Sequence, residues 1–260
     1  MNIKPLKRFG QNYLTDHNIL NKIVDEISPR KDDNLIEIGP GKGALTEKLL
    51  EKTDSLTAVE IDKRVKENLT ERFPQLNLIS DDFLEMDLTK LYSAKGKKLR
   101  IVGNIPYNIT SPILFKMIEN NNLVQDSVLM VQYEVAKRIT GKKGTKDYGI
   151  LSILLNYFAD VKFCFKVSPN SFYPKPNVDS AVIHLFFKEI KMDEEMKKLF
   201  INVVKASFGN RRKTLKNSLS NSIFNNIDFR NSGIDLTKRA EQLDAEHFLH
   251  LAEFIKNKDN

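Results

Sequence analysis

Short apolar runs alternate with amphipathic stretches along the first 188 residues of the chain. Apolar runs bounded by polar turns predict buried strands, whereas apolar residues three and four positions apart predict helices with one buried face. The predicted strands cover 34–38, 56–60, 76–80, 99–102 and 127–131, with a closing pair at 161–167 and 180–187. The predicted helices cover 16–28, 44–52, 62–72, 111–121, 134–140 and 148–158. This alternation predicts an α/β fold, with a mostly parallel sheet covered by helices.

The pattern changes after residue 188, where strand signals end and only amphipathic helical stretches follow. These helices are predicted at 193–208, 211–219 and 245–257. Because the first part alternates strands with helices and the second part is helical throughout, the chain predicts two domains, at 1–188 and 189–260.

Composition is typical of a folded globular chain. Hydrophobic residues make up 41% and charged residues 29% of the 260 positions. No apolar run reaches the length of a membrane span, and the basic N-terminus lacks the continuous apolar core of a signal peptide. Cys164 is the only cysteine, which excludes an intramolecular disulfide and a cysteine-based zinc site. We therefore expect a cytoplasmic protein that binds neither a membrane nor a metal ion.

Basic residues are concentrated in one segment of the chain. The net charge is +7, which by itself is a weak indication of a polyanionic partner. Between residues 197 and 227, however, there are seven basic residues and no acidic one. This segment is either a binding surface for a polyanion such as a nucleic acid or a solvated helix face.

The clearest motif is EIGPGKG, in which Gly39, Gly41 and Gly43 join a predicted strand to a predicted helix. Glycine lets the backbone turn tightly and lets a ligand approach main-chain atoms. The next strand ends in Glu60, whose carboxylate can accept both hydroxyls of a ribose. The third glycine comes one residue earlier than in dinucleotide-binding proteins. The spacing therefore favours S-adenosylmethionine, a nucleoside ligand without a pyrophosphate.

Asp82 and Phe83 follow the third predicted strand, at the sheet edge where open α/β folds bind their ligands. Asp82 can accept a hydrogen bond from an adenine amino group, and Phe83 can pack beside the ring. An acidic turn or helix cap explains the same residues and, taken alone, is the simpler interpretation.

The fourth predicted strand runs into Asn104-Ile105-Pro106-Tyr107 at the same edge. The amine of adenine is a poor nucleophile because its lone pair is delocalised into the ring. Two hydrogen-bond acceptors aimed at its hydrogens would draw the lone pair back onto nitrogen. The Asn104 side-chain oxygen and the Ile105 carbonyl are candidate acceptors, and Tyr107 offers a face on which a flipped base can stack. The alternative is a plain helix N-cap followed by a kinked turn.

Taken together, NIPYN, EIGPGKG and VEID resemble the motifs of Rossmann-like, S-adenosylmethionine-dependent adenine-N6 methyltransferases. Two further stretches resemble rRNA adenine dimethyltransferases in particular: RFGQNYL at 8–14 and SFYPKPNVDSAVI at 171–183. The C-terminal stretches FGNRRKTLKNSL and RAEQLDAEHFLHLA resemble the KsgA branch of that family. One departure is Ile105, where many adenine methyltransferases have proline; its carbonyl role is unaffected.

The resemblance implies a class I methyltransferase domain with seven strands, the last antiparallel, and a small all-α domain. It implies dimethylation of two adjacent adenosines near the 3′ end of 16S rRNA, in an immature small ribosomal subunit, by a monomeric enzyme. The catalytic residues would be Asn104 to Tyr107, with Phe172 opposite Tyr107. Arg211, Arg212 and Lys213 would contact rRNA phosphates, and the basic loop 141–149 would be mobile near the substrate. The residues implied to bind S-adenosylmethionine are Gln11, Asn12, Leu14, Gly39, Gly41, Glu60, Ile61, Asp82, Phe83 and Asn104.

Two other functions remain open at this point. An erythromycin-resistance (Erm) methylase of 23S rRNA shares the catalytic and cofactor motifs but lacks the RRKT segment. A ribosome-assembly factor that holds an immature subunit, with catalysis as a secondary activity, would have the same sequence features.

Overall fold

The computed structural model describes residues 11–259. Their contacts divide them into two compact units, one formed by residues 11–136 and 161–188 and the other by residues 137–160 and 189–259. The first three residues of the motif at 8–14 lie outside the described part. Among residues 11–259, no helix has the length and apolar character needed to cross a bilayer.

A seven-stranded sheet forms the centre of the first unit. The strands of the described chain are β1 (Tyr13–Leu14), β2 (Asn34–Ile38), β3 (Leu56–Val59), β4 (Asn77–Ile79), β5 (Leu99–Asn104), β6 (Val124–Gln132), β7 (Ala159–Val167), β8 (Phe172–Tyr173) and β9 (Ser180–Phe187). The order in the large sheet is β4-β3-β2-β5-β6-β9-β7. Strands β2 to β6 run parallel, and β9 is antiparallel to β6. The predicted mostly parallel, seven-stranded sheet is confirmed.

Ten α-helices occur in the described residues: α1 (His17–Ile27), α2 (Ala44–Leu50), α3 (Lys66–Arg72), α4 (Leu88–Lys95), α5 (Thr110–Glu119), α6 (Tyr133–Ile139), α7 (Ile150–Phe158), α8 (Glu194–Ser207), α9 (Leu215–Ser220) and α10 (Ala245–Asp259). Short 3₁₀ turns lie at Lys63–Val65, Tyr107–Ile109, Pro169–Ser171 and Ala240–Gln242. Helix α1 begins after Asp16, whose carboxylate accepts from the backbone N–H groups of Asn18 and Ile19, as an N-cap should.

The order in which strands are added to the sheet reverses beside β2, and this reversal creates a crevice. From β2 the chain passes to β3 and then β4 on one side, and it returns to place β5 on the other side of β2. In open α/β sheets, ligands bind at the carboxyl ends of the strands where the order reverses in this way. The loops that follow β2 and β5 therefore flank the expected binding crevice.

The second unit is helical and has an aromatic core. Helix α7 contributes Phe158, which is fully buried, and its ring lies 6.1 Å from that of Phe200 in α8. The neighbouring ring of Tyr157 lies 4.9 Å from Phe200. These contacts group residues 137–160 with the C-terminal helices, although the sequence placed them before the boundary at residue 188. The functional division into a methyltransferase domain and an rRNA-binding domain stays a prediction.

The structure corrects the prediction from the sequence in three places. Helix α4 was missed, as was the two-stranded antiparallel pair of β1 with β8. The predicted helix 211–219 begins only at Leu215, because Thr214 takes extended geometry and its side chain accepts from the Asn217 N–H as an N-cap. Arg211, Arg212 and Lys213 therefore lie in the turn before the helix rather than on it.

Candidate active site

The loop after β2 is shaped by three glycines with positive φ angles. These are +64° at Gly39, +56° at Gly41 and +80° at Gly43, values that favour glycine. Two of these positions also lack room for a side chain. A Cβ on Gly41 would lie 2.9 Å from the Tyr13 ring, and one on Gly43 would lie 2.6 Å from the Phe73 ring. The backbone can follow this path only with glycine at these positions.

Glu60, directly after β3, holds the glycine loop in place. One carboxylate oxygen accepts from the Gly41 N–H at 3.1 Å, and the other accepts from the Asp62 N–H at 2.8 Å. Burial raises the pKa of Glu60 despite these two hydrogen bonds. Each oxygen retains a second lone pair that can accept from a ribose hydroxyl.

Residues 11–14 cross the site and are anchored on both sides of it. Gln11 donates from Nε2 to Asp62 Oδ2 at 3.0 Å, and Asn104 donates from Nδ2 to the Asn12 carbonyl at 2.9 Å. Strand β1 then pairs with β8. Asp62 also accepts from Arg64, whose guanidinium lowers the pKa of that carboxyl to about 2. Asp62 keeps its negative charge at neutral pH, so it remains an acceptor for Gln11.

The end of β5, which leads into the segment predicted to be catalytic (Asn104 to Tyr107), approaches β2 closely. A Cβ on Gly103 would lie 2.6 Å from the Ile38 carbonyl oxygen, so only glycine lets the two strands meet at this point. The Ile105 N–H donates to the Met130 carbonyl at 3.3 Å, which ties the segment to β6. Within residues 11–259, no donor reaches the Ile105 carbonyl oxygen, which is therefore available to accept from a ligand.

A cavity of about 460 Å³ lies between these elements and is lined by every residue predicted to bind the cofactor. Asn104, Ile105, Pro106 and Tyr107 line it as well. Asp82 does so while also accepting from the Leu84 N–H at 2.9 Å, so it is both a turn residue and a cavity residue. The separate motifs of the sequence are thus brought together at one edge of the sheet.

Phe172 lies apart from these residues. It is 4% exposed, packs into the hydrophobic core with Leu14 and does not line the cavity. Its neighbour Tyr173 is 64% exposed. Successive residues of a strand point to opposite faces, so Tyr173 lies on the same face of the β1–β8 pair as Tyr13, which does line the cavity. The proposed stacking role of Phe172 stays a prediction.

The predicted phosphate-binding residues differ from one another. Arg211 donates from Nη2 to the carbonyls of Lys146 and Tyr148, both at 2.8 Å. Arg212 and Lys213 are exposed and make no ion pair with the described residues. Arg211 therefore holds the basic loop 141–149. The same loop is held by the Gly144 N–H, which donates to the Glu241 carbonyl at 3.1 Å. The loop predicted to be mobile is docked.

Two residues, one lining the cavity and one beside it, were not identified from the sequence. Glu37 lines the cavity and accepts from the Thr46 hydroxyl at 2.7 Å, and burial raises its pKa to about 8. It stands inside the EIGPGKG motif, which could have drawn attention to it. Ser180 lies within hydrogen-bond distance of Tyr107, 73 positions away, and no local pattern connects the two.

The chemistry of these groups fits S-adenosylmethionine. Glu60 suits a ribose, and Asp82 and Phe83 suit an adenine. A Cβ on Gly39 would meet no atom within 4 Å, so a ligand can approach the backbone there. The fold and site together define a Rossmann-like, class I S-adenosylmethionine-dependent methyltransferase. The family model for ribosomal RNA adenine dimethylase matches residues 3–257, and the chain belongs to that family.

Similar proteins cover nearly the whole chain. The ribosomal RNA small subunit methyltransferase A of Chlorobium phaeobacteroides (strain BS1) is 45% identical over 94% of this chain and 91% of its own length. The protein of that name from Legionella pneumophila (strain Corby) is 43% identical over 99% and 100%. Among solved structures, a dimethyladenosine transferase from Plasmodium falciparum has a TM-score of 0.75 at 27% identity, covering 94% of this chain and 98% of that one. The 23S rRNA methyltransferase ErmE has a TM-score of 0.68 at 25% identity, covering 94% and 100%.

Proposed function

We propose that this protein transfers methyl groups from S-adenosylmethionine to N6 of two adjacent adenosines near the 3′ end of 16S rRNA, in an immature small ribosomal subunit. The observation that carries this proposal is the orientation of the Asn104 amide. Its Nδ2 donates to the Asn12 carbonyl, so its Oδ1 is the atom left to accept from a substrate. An acceptor fixed in this way at the cavity suits an exocyclic amine.

The Ile105 carbonyl supplies the second acceptor. Its oxygen has no donor within residues 11–259, and the segment that carries it is fixed by the hydrogen bond from the Ile105 N–H to β6. An amine hydrogen-bonded to both oxygens has its lone pair drawn out of conjugation with the ring. Because both acceptors are in place before the base arrives, little of their orientation has to be acquired during the reaction.

Proton removal needs no strong base at this site. The amine becomes acidic once it is methylated, and solvent can take the proton. After the first transfer one N–H remains, so a single acceptor is sufficient to orient the nitrogen for the second transfer. Tyr107 gives the base a face on which to stack once it has left the RNA helix.

The cofactor would be held by the residues around the glycine loop. Glu60 would accept from the ribose hydroxyls, while Asp82 and Phe83 would hold the adenine. S-adenosylmethionine supplies an electrophilic methyl group attached to a sulfonium. The residues of this chain contribute binding and orientation.

The basic segment of the second unit would bind the rRNA backbone, with Arg212 and Lys213 as phosphate contacts. Phe172 would stack on the target adenine opposite Tyr107. The names of the relatives, which specify the small subunit, support 16S over 23S rRNA as the substrate. We propose that the protein acts as a monomer in the cytoplasm.

Mass spectrometry of rRNA tests this proposal. Unmethylated small ribosomal subunits incubated with the protein and S-adenosylmethionine should gain N6,N6-dimethyladenosine at two adjacent positions. Methylation of 23S rRNA alone would support the Erm-type activity instead. Subunit binding without any methylation would support the assembly-factor function.

Asn104→Ala tests the catalytic assignment. Loss of the oriented acceptor should lower turnover by on the order of a hundredfold or more, with subunit binding retained. Asn170→Ala is the matched control, because Asn170 is an exposed asparagine that does not line the cavity. Turnover by Asn104→Ala at the rate of the control would remove Asn104 from the mechanism.

A further inference from the structure

Tyr107 carries a hydrogen bond that the reaction itself does not require. Its hydroxyl oxygen lies 2.7 Å from Ser180 Oγ, and either group can donate. A base that stacks on Tyr107 uses the face of the ring and not the hydroxyl. The hydrogen bond therefore serves to hold the ring.

Ser180 is well placed to hold it. Its side chain is completely buried at the start of β9, where it pairs with Gln132 of β6. The backbone next to it is fixed too, because the Tyr133 N–H donates to the Asp179 carbonyl at 3.0 Å. The serine hydroxyl is thus attached to the rigid sheet, whereas Tyr107 is the last residue of the segment from Asn104 to Tyr107 and begins a 3₁₀ turn.

Within the part of the chain that the structure describes, the hydrogen bonds that anchor the rest of the segment involve Asn104, Ile105 and Pro106. The Asn104 amide is bound to Asn12, the Ile105 N–H to Met130, and the Pro106 carbonyl accepts from the Ile109 N–H at 3.1 Å. Without a partner for its hydroxyl, the half-buried ring of Tyr107 could rotate about its side-chain bonds. A rotated ring would no longer present its face to the base.

We infer that Ser180 is a positioning residue, which fixes the ring of Tyr107 in the orientation that stacks on the target adenine. This inference rests on the proposed function of the segment from Asn104 to Tyr107. Ser180, which lies in the SFYPKPNVDSAVI stretch, would then act through Tyr107 and would not contact the substrate itself.

A double-mutant cycle tests the inference, with kinetics on unmethylated small ribosomal subunits. Ser180→Ala and Tyr107→Phe each remove the hydrogen bond, and Tyr107→Phe keeps the aromatic face. Each should lower kcat/KM for subunits by roughly two- to tenfold, the range for one hydrogen bond. The double variant should lose no more than the larger single loss, because both changes delete the same interaction. Binding of S-adenosylmethionine, measured calorimetrically, should be unchanged.

Ser127→Ala is the matched control. Ser127 is a buried serine of β6 whose hydroxyl donates to the Ile101 carbonyl at 2.8 Å, away from the catalytic segment. It should cost similar stability and leave kcat/KM unchanged. Ser180→Thr, which keeps a hydroxyl, should retain more activity than Ser180→Ala.

Two results would overturn the inference. One is wild-type kinetics for Ser180→Ala. The other is a double variant whose loss equals the product of the single losses, which would mean that the two side chains act independently. Failure of the proposed function is a separate outcome, since it would appear as absence of methylation by the unmodified protein.

Discussion

At the scale of single residues, the two neighbouring aromatic side chains of β8 lie on opposite faces, and this difference separates their roles. Phe172 points into the core, and Tyr173 is exposed on the face it shares with Tyr13. The sequence alone could not distinguish them, because a two-residue strand has no visible alternation of apolar and polar positions. The resemblance pointed to Phe172 as the stacking residue, whereas burial shows that it also packs the core.

Substitution can separate the proposed stacking role of Phe172 from its packing in the core. Phe172→Ala should lower the free energy of unfolding by about 3–5 kcal/mol, because it leaves a cavity in the core. Phe172→Leu should cost less than about 1.5 kcal/mol while removing the ring. If the ring stacks on adenine as proposed, the Leu variant should lose roughly 1–3 kcal/mol of transition-state stabilisation, measured from kcat/KM. Tyr173→Leu is the control; a loss confined to Tyr173→Leu would transfer the stacking role to Tyr173.

At the scale of elements, the cavity lies at one end of the sheet and a buried ion network lies at the other. Arg100, near the start of β5, donates from Nε to Asp126 of β6 at 2.8 Å and pairs with Asp33 as well. His184 of β9 lies between two carboxylates, with Nδ1 2.7 Å from Glu26 and Nε2 2.8 Å from Asp126. The network joins β5, β6, β9 and α1 at the end of the sheet away from the cavity.

This network should make the stability of the protein depend on pH. Burial works to raise the pKa of Asp126, but the hydrogen bonds from Arg100 and His184 outweigh it and hold that pKa below its ordinary value of 3.8. A carboxyl whose pKa is lower in the folded state stabilises the fold above its unfolded pKa. That stabilisation is lost as the pH falls through the folded pKa.

Asp126→Asn should therefore lower the free energy of unfolding by about 3–5 kcal/mol at pH 7, since it leaves Arg100 buried with one partner fewer. The difference from the unmodified protein should shrink below about pH 4. Urea unfolding at pH 7, 5 and 3 measures both effects. Asp54→Asn, in an exposed pair with Lys31, is the control and should change little at any pH. An equal loss at pH 3 and pH 7 would contradict the assigned role of Asp126.

Elements with a long apolar pattern were predictable from the sequence, and short ones were not. Strand β2 is buried at all five positions and was located without error. Helix α4 buries only Leu88, so its sequence has no apolar stripe, and its cap at Asp87 was overlooked. The β1–β8 pair joins residues about 160 positions apart, a pairing that no local pattern encodes. The predicted cofactor residues from Gly39 onward lie at or directly after the end of a recognisable strand, whereas Gln11, Asn12 and Leu14 were predicted from the resemblance alone.

At the scale of the whole molecule, the net charge of +7 favours a polyanionic partner, but not every basic residue is available to it. Arg211 is engaged by two backbone carbonyls of loop 141–149 and lies 3.8 Å from Glu241. Lys143 of the same loop is paired with Asp244 at 3.0 Å. The sequence showed an excess of basic residues, whereas these partners became visible only in the fold. The basic charge that the second unit leaves available to a polyanion is therefore smaller than the residue count suggests.

The salt dependence of subunit binding should distinguish the exposed, unpaired basic residues from Arg211, which is engaged within the protein. Removing a side chain that neutralises one phosphate should flatten the plot of log K against log salt concentration by about 0.7–0.9. We expect this change for Arg212→Ala and for Lys213→Ala, because both side chains are exposed and unpaired within the described residues. Arg211→Ala should flatten the slope by more than this amount, since it releases the loop that presents both Lys142 and Lys146.

Hydrogen exchange in residues 141–149 supplies the second measurement for this last prediction. Arg211→Ala should speed exchange in the loop, because it removes the guanidinium that binds the Lys146 and Tyr148 carbonyls. Arg212→Ala, the matched control one position away, should leave exchange unchanged. If Arg211→Ala flattened the salt slope only as much as Arg212→Ala does and left exchange unchanged, Arg211 would be an ordinary phosphate-binding residue. The loop would then be held mainly by the Tyr148 hydroxyl, which donates to the Leu243 carbonyl at 2.9 Å.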